Sequence, residues 1–299
     1  MPPEYRILIV TDLEGVCGVL DFDNWCLPEG RRNEEGCEFL TMQTNAAIAG
    51  FFDGGATAVT AWDGHGSGGS LRGGKLDDRA MLQRGQRPDW PCVGDFDALA
   101  FVGQHPKAST DQGHLSHTQT FAAIDVRING ISVGEYGELA LAAWERGIPT
   151  IFVSGCEAMR REAQALTPEA VAVAAKFGLN PAASPQCDIM QARYSQQSAV
   201  HYAPGRACAM IRAGALEAMK KLRQSGKSRF TIPALAQTSA PWRVEAEYRR
   251  SCALPEHGIP ELPARKIHTR NHDTIAEALR EFYREIEWRQ PDGDRIVAE

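Results

Sequence analysis

Short apolar runs alternate with amphipathic segments through the first half of the chain. The run Ile7-Leu8-Ile9-Val10 predicts a buried strand over residues 5–12. Asn129-Gly130, between two apolar segments, is the strongest short hairpin signal in the sequence. By the same criteria, strands are predicted at 56–62, 98–103, 124–128, 131–133 and 149–154, and helices at 33–52 and 134–146. This alternation predicts an α/β fold with a largely parallel sheet flanked by helices.

The second half of the chain is patterned differently. An Ala-rich segment, 162–175, fits a helix or a strand, and residues 178–198 are loop-like at first. A helix is predicted from Pro204 to about Gln224, a strand at 242–249, and an amphipathic helix at 273–288 with Asp273 as its N-cap. With a linker at 226–240, the sequence predicts an α/β domain over 1–225 and a smaller C-terminal α+β part over 226–299, serving oligomerisation or pocket formation.

Composition and charge narrow the class of protein. The chain has 299 residues, of which 43% are hydrophobic and 23% charged, as in ordinary globular proteins. The formal net charge of -6 disfavours a nucleic-acid groove or an anionic membrane surface as partner. The sequence contains no apolar segment of membrane-spanning length and no signal-peptide pattern, which predicts a cytoplasmic protein. Its eight cysteines form no CxxC pair, so no disulfide framework is expected.

Acids and histidines follow several of the predicted strands. In open α/β sheets, ligands bind beyond the carboxyl ends of the strands. Two acids spaced two apart in an extended segment point the same way and repel unless a cation lies between them. The candidate donors at this edge are Asp12, Glu14, His65, His105 and Glu135. Mixed oxygen and nitrogen donors of this kind suit two divalent ions about 3.5–4 Å apart that share Asp12.

Each signal alone has a simpler interpretation. The acid pair fits an N-cap plus a surface acid, and His65 fits an exposed loop histidine. Glu138, three residues after Glu135, fits complementation of a helix dipole as well as ligation. The absence of cysteine from the set argues against a closed structural zinc site. Taken together, the five donors favour an open site of the hydrolytic type.

The same segments resemble a known family. In order and spacing, "TDLEGVCG", "DGHG", "FVGQHPKASTDQGHLSH" and "INGISVGEYGELA" resemble the motifs of the D-aminopeptidase metallopeptidases linked to dipeptide transport, over roughly residues 5–160. The resemblance implies two zinc ions per subunit, with Asp12 as the bridge and Glu14, His65, His105 and Glu135 as the other ligands. It also implies a catalytic role for His117, and a ring-shaped homo-oligomer that cleaves short peptides with an N-terminal D-residue.

The expected function is therefore a metal-dependent hydrolase that cleaves an amide bond with a metal-activated water. His117 is expected to act as an acid/base group, although the family has also been described with this histidine as nucleophile. One alternative is an amidase that acts on a small non-peptide amide at the same site, because residues 176–195 are longer than the family's usual connection. Another is a non-catalytic, metal-dependent binding or scaffold protein. Such donor sets also accept manganese or cobalt.

Overall fold

A computed structural model describes residues 4–66, 68–85, 94–250 and 263–286 of the chain. Its strands are β1 (Arg6–Thr11), β2 (Ala58–Asp63), β3 (Met81–Gln83), β4 (Ala98–Gln104), β5 (Ala123–Ile128), β6 (Ile131–Val133), β7 (Thr150–Cys156), β8 (Val171–Gly178), β9 (Ala199–His201), β10 (Val244–Tyr248) and β11 (Arg265–His268). Its α-helices are α1 (Asn33–Asp53), α2 (Glu135–Glu145), α3 (Glu157–Leu166), α4 (Ile189–Ser195), α5 (Pro204–Ser225) and α6 (Ile275–Glu285).

A seven-stranded sheet in the order β3-β2-β1-β4-β7-β8-β9 lies at the centre. Every neighbouring pair in it is parallel except β8 and β9. Ile7, Leu8 and Ile9 of the central strand β1 are 0% exposed, because helices cover both faces of the sheet. Such a strand must be apolar along its whole length. The predicted α/β fold is confirmed.

A second, antiparallel sheet has the order β11-β10-β5-β6. The predicted hairpin at Asn129-Gly130 joins β5 to β6, and β10 pairs with β5 on its other side. This sheet therefore combines strands from both sides of residue 226, where the sequence predicts a second part to begin. The division of the chain at that residue stays a prediction.

Several local features differ from the sequence-based expectations. The ambiguous segment 162–175 holds the end of α3 and the start of β8, so both interpretations were partly right. Helix α4, in the later part of segment 178–198, was not predicted, because its seven residues are too few to show a helical period. The Asp273 cap is wrong, because the side chain of Thr274 accepts the N–H of Glu277 at 3.2 Å. The predicted end of that helix, Trp288, lies outside the described residues.

Among the described residues, no helix combines the length and the hydropathy needed to cross a bilayer.

Candidate metal centre

The carboxyl edge of the central sheet brings three strand ends together. β1 leads into Asp12, β2 into His65 and β4 into His105. The backbones of the β1 and β4 ends are joined by hydrogen bonds, with the Asp12 N–H donating to the Val102 carbonyl at 2.9 Å. This pairing continues beyond the strands and holds Asp12 beside the segment that carries His105.

The first group of donors comprises Asp12, Glu14 and His65. His65 Nδ1 lies 3.1 Å from Asp12 Oδ1 and 3.1 Å from Glu14 Oε2. The Asp12 and Glu14 side chains are buried, with 9% and 2% of their surface exposed. Three potential ligand atoms therefore converge on one point that is shielded from bulk water.

The second group comprises His105, His117 and Glu135. Helix α2 begins at Glu135, whose Oε1 lies 3.4 Å from His105 Nε2 and 3.7 Å from His117 Nε2. The two imidazole rings stack, with centroids 3.9 Å apart and planes inclined at 11°. The structure thus places the residue expected to be catalytic directly beside two of the expected ligands.

Asp12 connects the two groups through its two oxygens. Oδ1 faces His65, while Oδ2 lies 3.2 Å from His105 Nε2. Gln104 also contacts Oδ2, with its Nε2 donating at 3.1 Å. Gln104 was not singled out from the sequence, although its place immediately before His105 at a strand end was a usable signal. All six predicted site residues meet at this edge.

The hydrogen bonds of the histidines decide which ring nitrogen faces inward. A carbonyl oxygen can only accept, so the ring nitrogen beside it carries a proton. His65 Nε2 lies 2.9 Å from the Cys26 carbonyl, which leaves Nδ1 facing the carboxylates. His105 Nδ1 lies 3.0 Å from the Pro106 carbonyl and His117 Nδ1 lies 2.9 Å from the Leu115 carbonyl, which leaves Nε2 facing inward in both. Metal-binding histidines are oriented in this way.

This arrangement fits divalent cations. In the neutral rings, the inward nitrogens present lone pairs to carboxylate oxygens that also carry lone pairs, so a positive charge must lie between them. Glu14 Oε2 is buried, and its 3.1 Å contact with His65 Nδ1 does not have hydrogen-bond geometry. The donor set, three carboxylates with imidazole nitrogens and no thiolate, suits zinc and similar ions.

The electrostatics of the metal-free residues show the same demand for positive charge. Burial alone would lower the pKa of His65, but the Glu14 and Asp12 carboxylates raise it well above its usual value. His105 behaves likewise, because Glu135 and Asp12 overcome the effect of burial and raise its pKa. Burial opposes ionisation of Asp12, yet the neighbouring histidines hold its pKa far below the usual range. In the metal-free protein, protons on His65 and His105 supply the positive charge that bound metal ions would provide.

His117 lies on a loop with a strained backbone, and its ring packs against two phenylalanine side chains. Its ring stacks on Phe121 at 4.6 Å between centroids and meets the edge of Phe22 at 6.1 Å. Burial, followed by the charge of His105, lowers the pKa of His117 to about 4. Four non-glycine residues of this loop have positive φ, namely Ser109, Gln112, Leu115 and Gln119. Backbone strain of this kind persists where the surroundings fix the chain, often at functional sites.

A buried lysine fixes the loop that carries Glu14. Lys176, on β8, is 0% exposed and donates to the carbonyls of Glu14 and Val19. The sequence contained a signal for it, a single lysine in the apolar segment "VAVAAKFG". His201 supports the same loop, accepting the Gly18 N–H at 2.9 Å.

His114 lies apart from the donor groups. Its ring is fully buried and meets the ring of His201 edge-on at 5.9 Å. It is not a member of either donor group.

The fold and its paired donor groups define an α/β protein with a candidate two-ion site at the carboxyl edge of its sheet. A family model described as D-aminopeptidase matches residues 5–280, and the chain belongs to that family. This confirms the resemblance inferred from the motifs. A curated relative, the D-aminopeptidase of Bacillus subtilis strain 168, is 31% identical over 176 residues, which are 57% of this chain and 63% of the relative.

A solved structure shares the fold. It is the Zn-dependent D-aminopeptidase DppA from Bacillus subtilis, described as a self-compartmentalizing protease. The superposition has a TM-score of 0.74, with 22% sequence identity, and covers 94% of this chain and 97% of that one. At this identity the likeness establishes the α/β fold.

Proposed function

We propose that this protein is a metal-dependent aminopeptidase that acts on short peptides with an N-terminal D-residue and uses two divalent ions, zinc foremost, per subunit. The observation that carries the proposal is the shared carboxylate, because Asp12 presents one oxygen to His65 and the other to His105. Membership of the D-aminopeptidase family supports amide hydrolysis as the reaction. The zinc dependence of DppA supports the choice of metal.

The residues divide between two metal positions. Asp12 would bridge the ions, with Glu14 and His65 completing one position and His105 and Glu135 the other. When bound, such a pair of ions activates a water molecule and polarises the substrate carbonyl. The carbonyl oxygens that bind the outer ring nitrogens keep each imidazole turned inward.

His117 is the proposed proton carrier. Because the Leu115 carbonyl holds the proton of Nδ1, Nε2 is the nitrogen available for transfer. The stacked ring of Phe121 and the edge of Phe22 limit rotation of the imidazole and exclude water from that side. Nε2 accepts a proton as the attack occurs and returns it to the leaving amine. General acid–base catalysis of this type contributes roughly 10²–10⁴-fold in rate.

Two substitutions test these roles. His117→Ala should keep both ions and lose turnover by about 10²–10⁴-fold. Asp12→Ala should lose both ions, because it removes the ligand they share. Metal content is measured by elemental analysis, and turnover by release of the N-terminal residue. His268→Ala is the matched control, since that side chain is 60% exposed on β11.

The possible outcomes separate the roles clearly. Two ions retained by Asp12→Ala would exclude the shared ligand. Normal turnover in His117→Ala would remove its catalytic role, and loss of an ion in that variant would make it a ligand instead. A panel of D-dipeptides, L-dipeptides and simple carboxamides tests the substrate. We expect hydrolysis of the D-dipeptides, and activity confined to the other two classes would contradict the proposed specificity.

The proposal includes a ring-shaped homo-oligomer in the cytoplasm. The description of DppA as self-compartmentalizing supports assembly. The cysteines described by the structure are free thiols, which suits a reducing compartment. Light scattering and negative-stain microscopy of the purified chain test the assembly, and a monomeric protein would contradict it. Fractionation of the source cells tests the location.

A further inference from the structure

Glu138 is a fully buried carboxylate to which the proposed chemistry assigns no role. It lies on α2, one turn beyond Glu135, and is 0% exposed. Its Oε2 accepts two hydrogen bonds, one from Tyr283 Oη at 2.7 Å and one from Gln119 Nε2 at 2.8 Å. Burial raises the pKa of Glu138 to about 7. An acid that merely complemented the helix dipole would be solvated, so its burial requires another explanation.

Gln119 links Glu138 to the metal centre. Its side-chain amide binds Glu138, while its backbone N–H donates to Glu135 Oε1 at 2.9 Å. That oxygen is the one nearest to His105 and His117. Gln119 has φ 63, a left-handed conformation that strains a non-glycine residue and has to be held by its neighbours. The Glu138 carboxylate is the acceptor that holds it.

Tyr283 brings a distant part of the chain into the same network. It lies on α6, which packs against α2, and it is 145 residues from Glu138 in sequence. Its phenol is buried and donates to the Glu138 carboxylate. Helix α6 therefore helps to fix the orientation of the Glu138 carboxylate.

We propose that Tyr283, Glu138 and Gln119 form a positioning relay that fixes the Glu135 carboxylate as a ligand of the second metal position. The inference rests on the proposed function for the presence of metal. The relay touches only the His105–Glu135 side of the centre. Its removal should therefore weaken one of the two ions and leave the position formed by Glu14 and His65 unchanged.

The relay makes a prediction about metal binding that a purely structural role does not. Glu138→Met leaves the buried Tyr283 hydroxyl and the Gln119 amide without their acceptor, so the metal-free protein should melt at a lower temperature. A general loss of stability would weaken both ions alike, whereas the relay predicts a loss at one position. Affinity for one of the two ions should fall by about 10–100-fold, as is typical when a group that orients a ligand is removed.

The experiment is a competition titration of the full-length, metal-free chain with zinc and a chromophoric chelator. Cobalt replaces zinc in a parallel titration, because its visible absorption reports each ligand environment. Glu138→Gln, which retains an acceptor oxygen, should restore most of the lost affinity, and Tyr283→Phe should lose less than Glu138→Met. Glu281→Gln is the matched control, since Glu281 lies on the same helix α6 but binds Arg270 and His272.

The outcomes are distinct. One weakened ion and an altered cobalt spectrum in Glu138→Met, with the other ion bound as in the wild type, would support the relay. Unchanged affinity for both ions would overturn it, as would an equal loss at both positions. A wild-type chain that binds no metal would overturn the proposed function, and the relay with it.

Discussion

Gly103, near the end of β4, lies against the backbone of Asp12, which follows β1. Its φ is +79, and a Cβ added there would lie 2.0 Å from the Asp12 carbonyl oxygen. Gly130, in the β5–β6 turn, has nearly the same conformation, with φ +83, but a Cβ there would have no atom within 4 Å. The two glycines therefore share the same backbone requirement and differ in their surroundings.

Backbone strain and crowding of the added methyl group contribute separately to the expected loss of stability. A left-handed conformation costs an alanine roughly 1–2 kcal/mol, and this applies to both Gly103→Ala and Gly130→Ala. Crowding of a well-packed site adds typically 1–3 kcal/mol, and this applies to Gly103→Ala alone. At about 2–4 °C per kcal/mol for a chain of this size, Gly103→Ala should melt roughly 2–12 °C below Gly130→Ala. The loss of chain entropy in the unfolded state is common to both variants and cancels.

The assay is thermal unfolding of both metal-free variants, followed by zinc titration. Because the clash at Gly103 falls on the backbone of Asp12, Gly103→Ala should also bind both ions more weakly, whereas Gly130→Ala should bind them as the wild type does. Equal melting temperatures and equal zinc affinities in the two variants would refute the close approach of β1 and β4.

Three further predictions concern metal removal, pH and the loop of Glu14. Chelation should lower the melting temperature, since zinc at 100 times its dissociation constant stabilises the folded protein by about 2.7 kcal/mol per ion. An unchanged melting temperature would show that zinc binding does not stabilise the fold. Burial and then Lys176 lower the pKa of His201 to about 4 from 6.5. The stability that depends on neutral His201 is complete above pH 6.5 and is lost as the pH falls through about 4. His201→Gln should therefore flatten the plot of unfolding free energy against pH over this range. Parallel plots for the variant and the wild type would contradict this role. Lys176→Met removes the donor to the Glu14 and Val19 carbonyls and should weaken zinc binding about 10-fold or more, which unchanged affinity would disprove.

Elements with a strong local pattern were predictable. The apolar run of β1, the Asn129-Gly130 turn and the helix beginning at Pro204 all appear as expected, because hydrophobic periodicity and turn chemistry act over a few residues. Helix α4 was missed because seven residues carry too little periodicity, and the Thr274 cap because two adjacent residues were both suitable. The short strands β3, β9 and β11 were also missed, since their pairing depends on neighbours distant in sequence.

The sequence by itself determined which residues meet. Asp12, His65 and His105 each follow a strand that the sequence predicts, and parallel strands of one sheet end at the same edge, so a common edge for the three residues was predictable. Only the tertiary structure decided how they meet: the inward ring nitrogens, the two faces of the Asp12 carboxylate, and the supports from Lys176 and Tyr283. Those supports join residues 162 and 145 positions apart. Contacts of that range depend on how the helices pack on the sheet, and no short segment of the sequence encodes them.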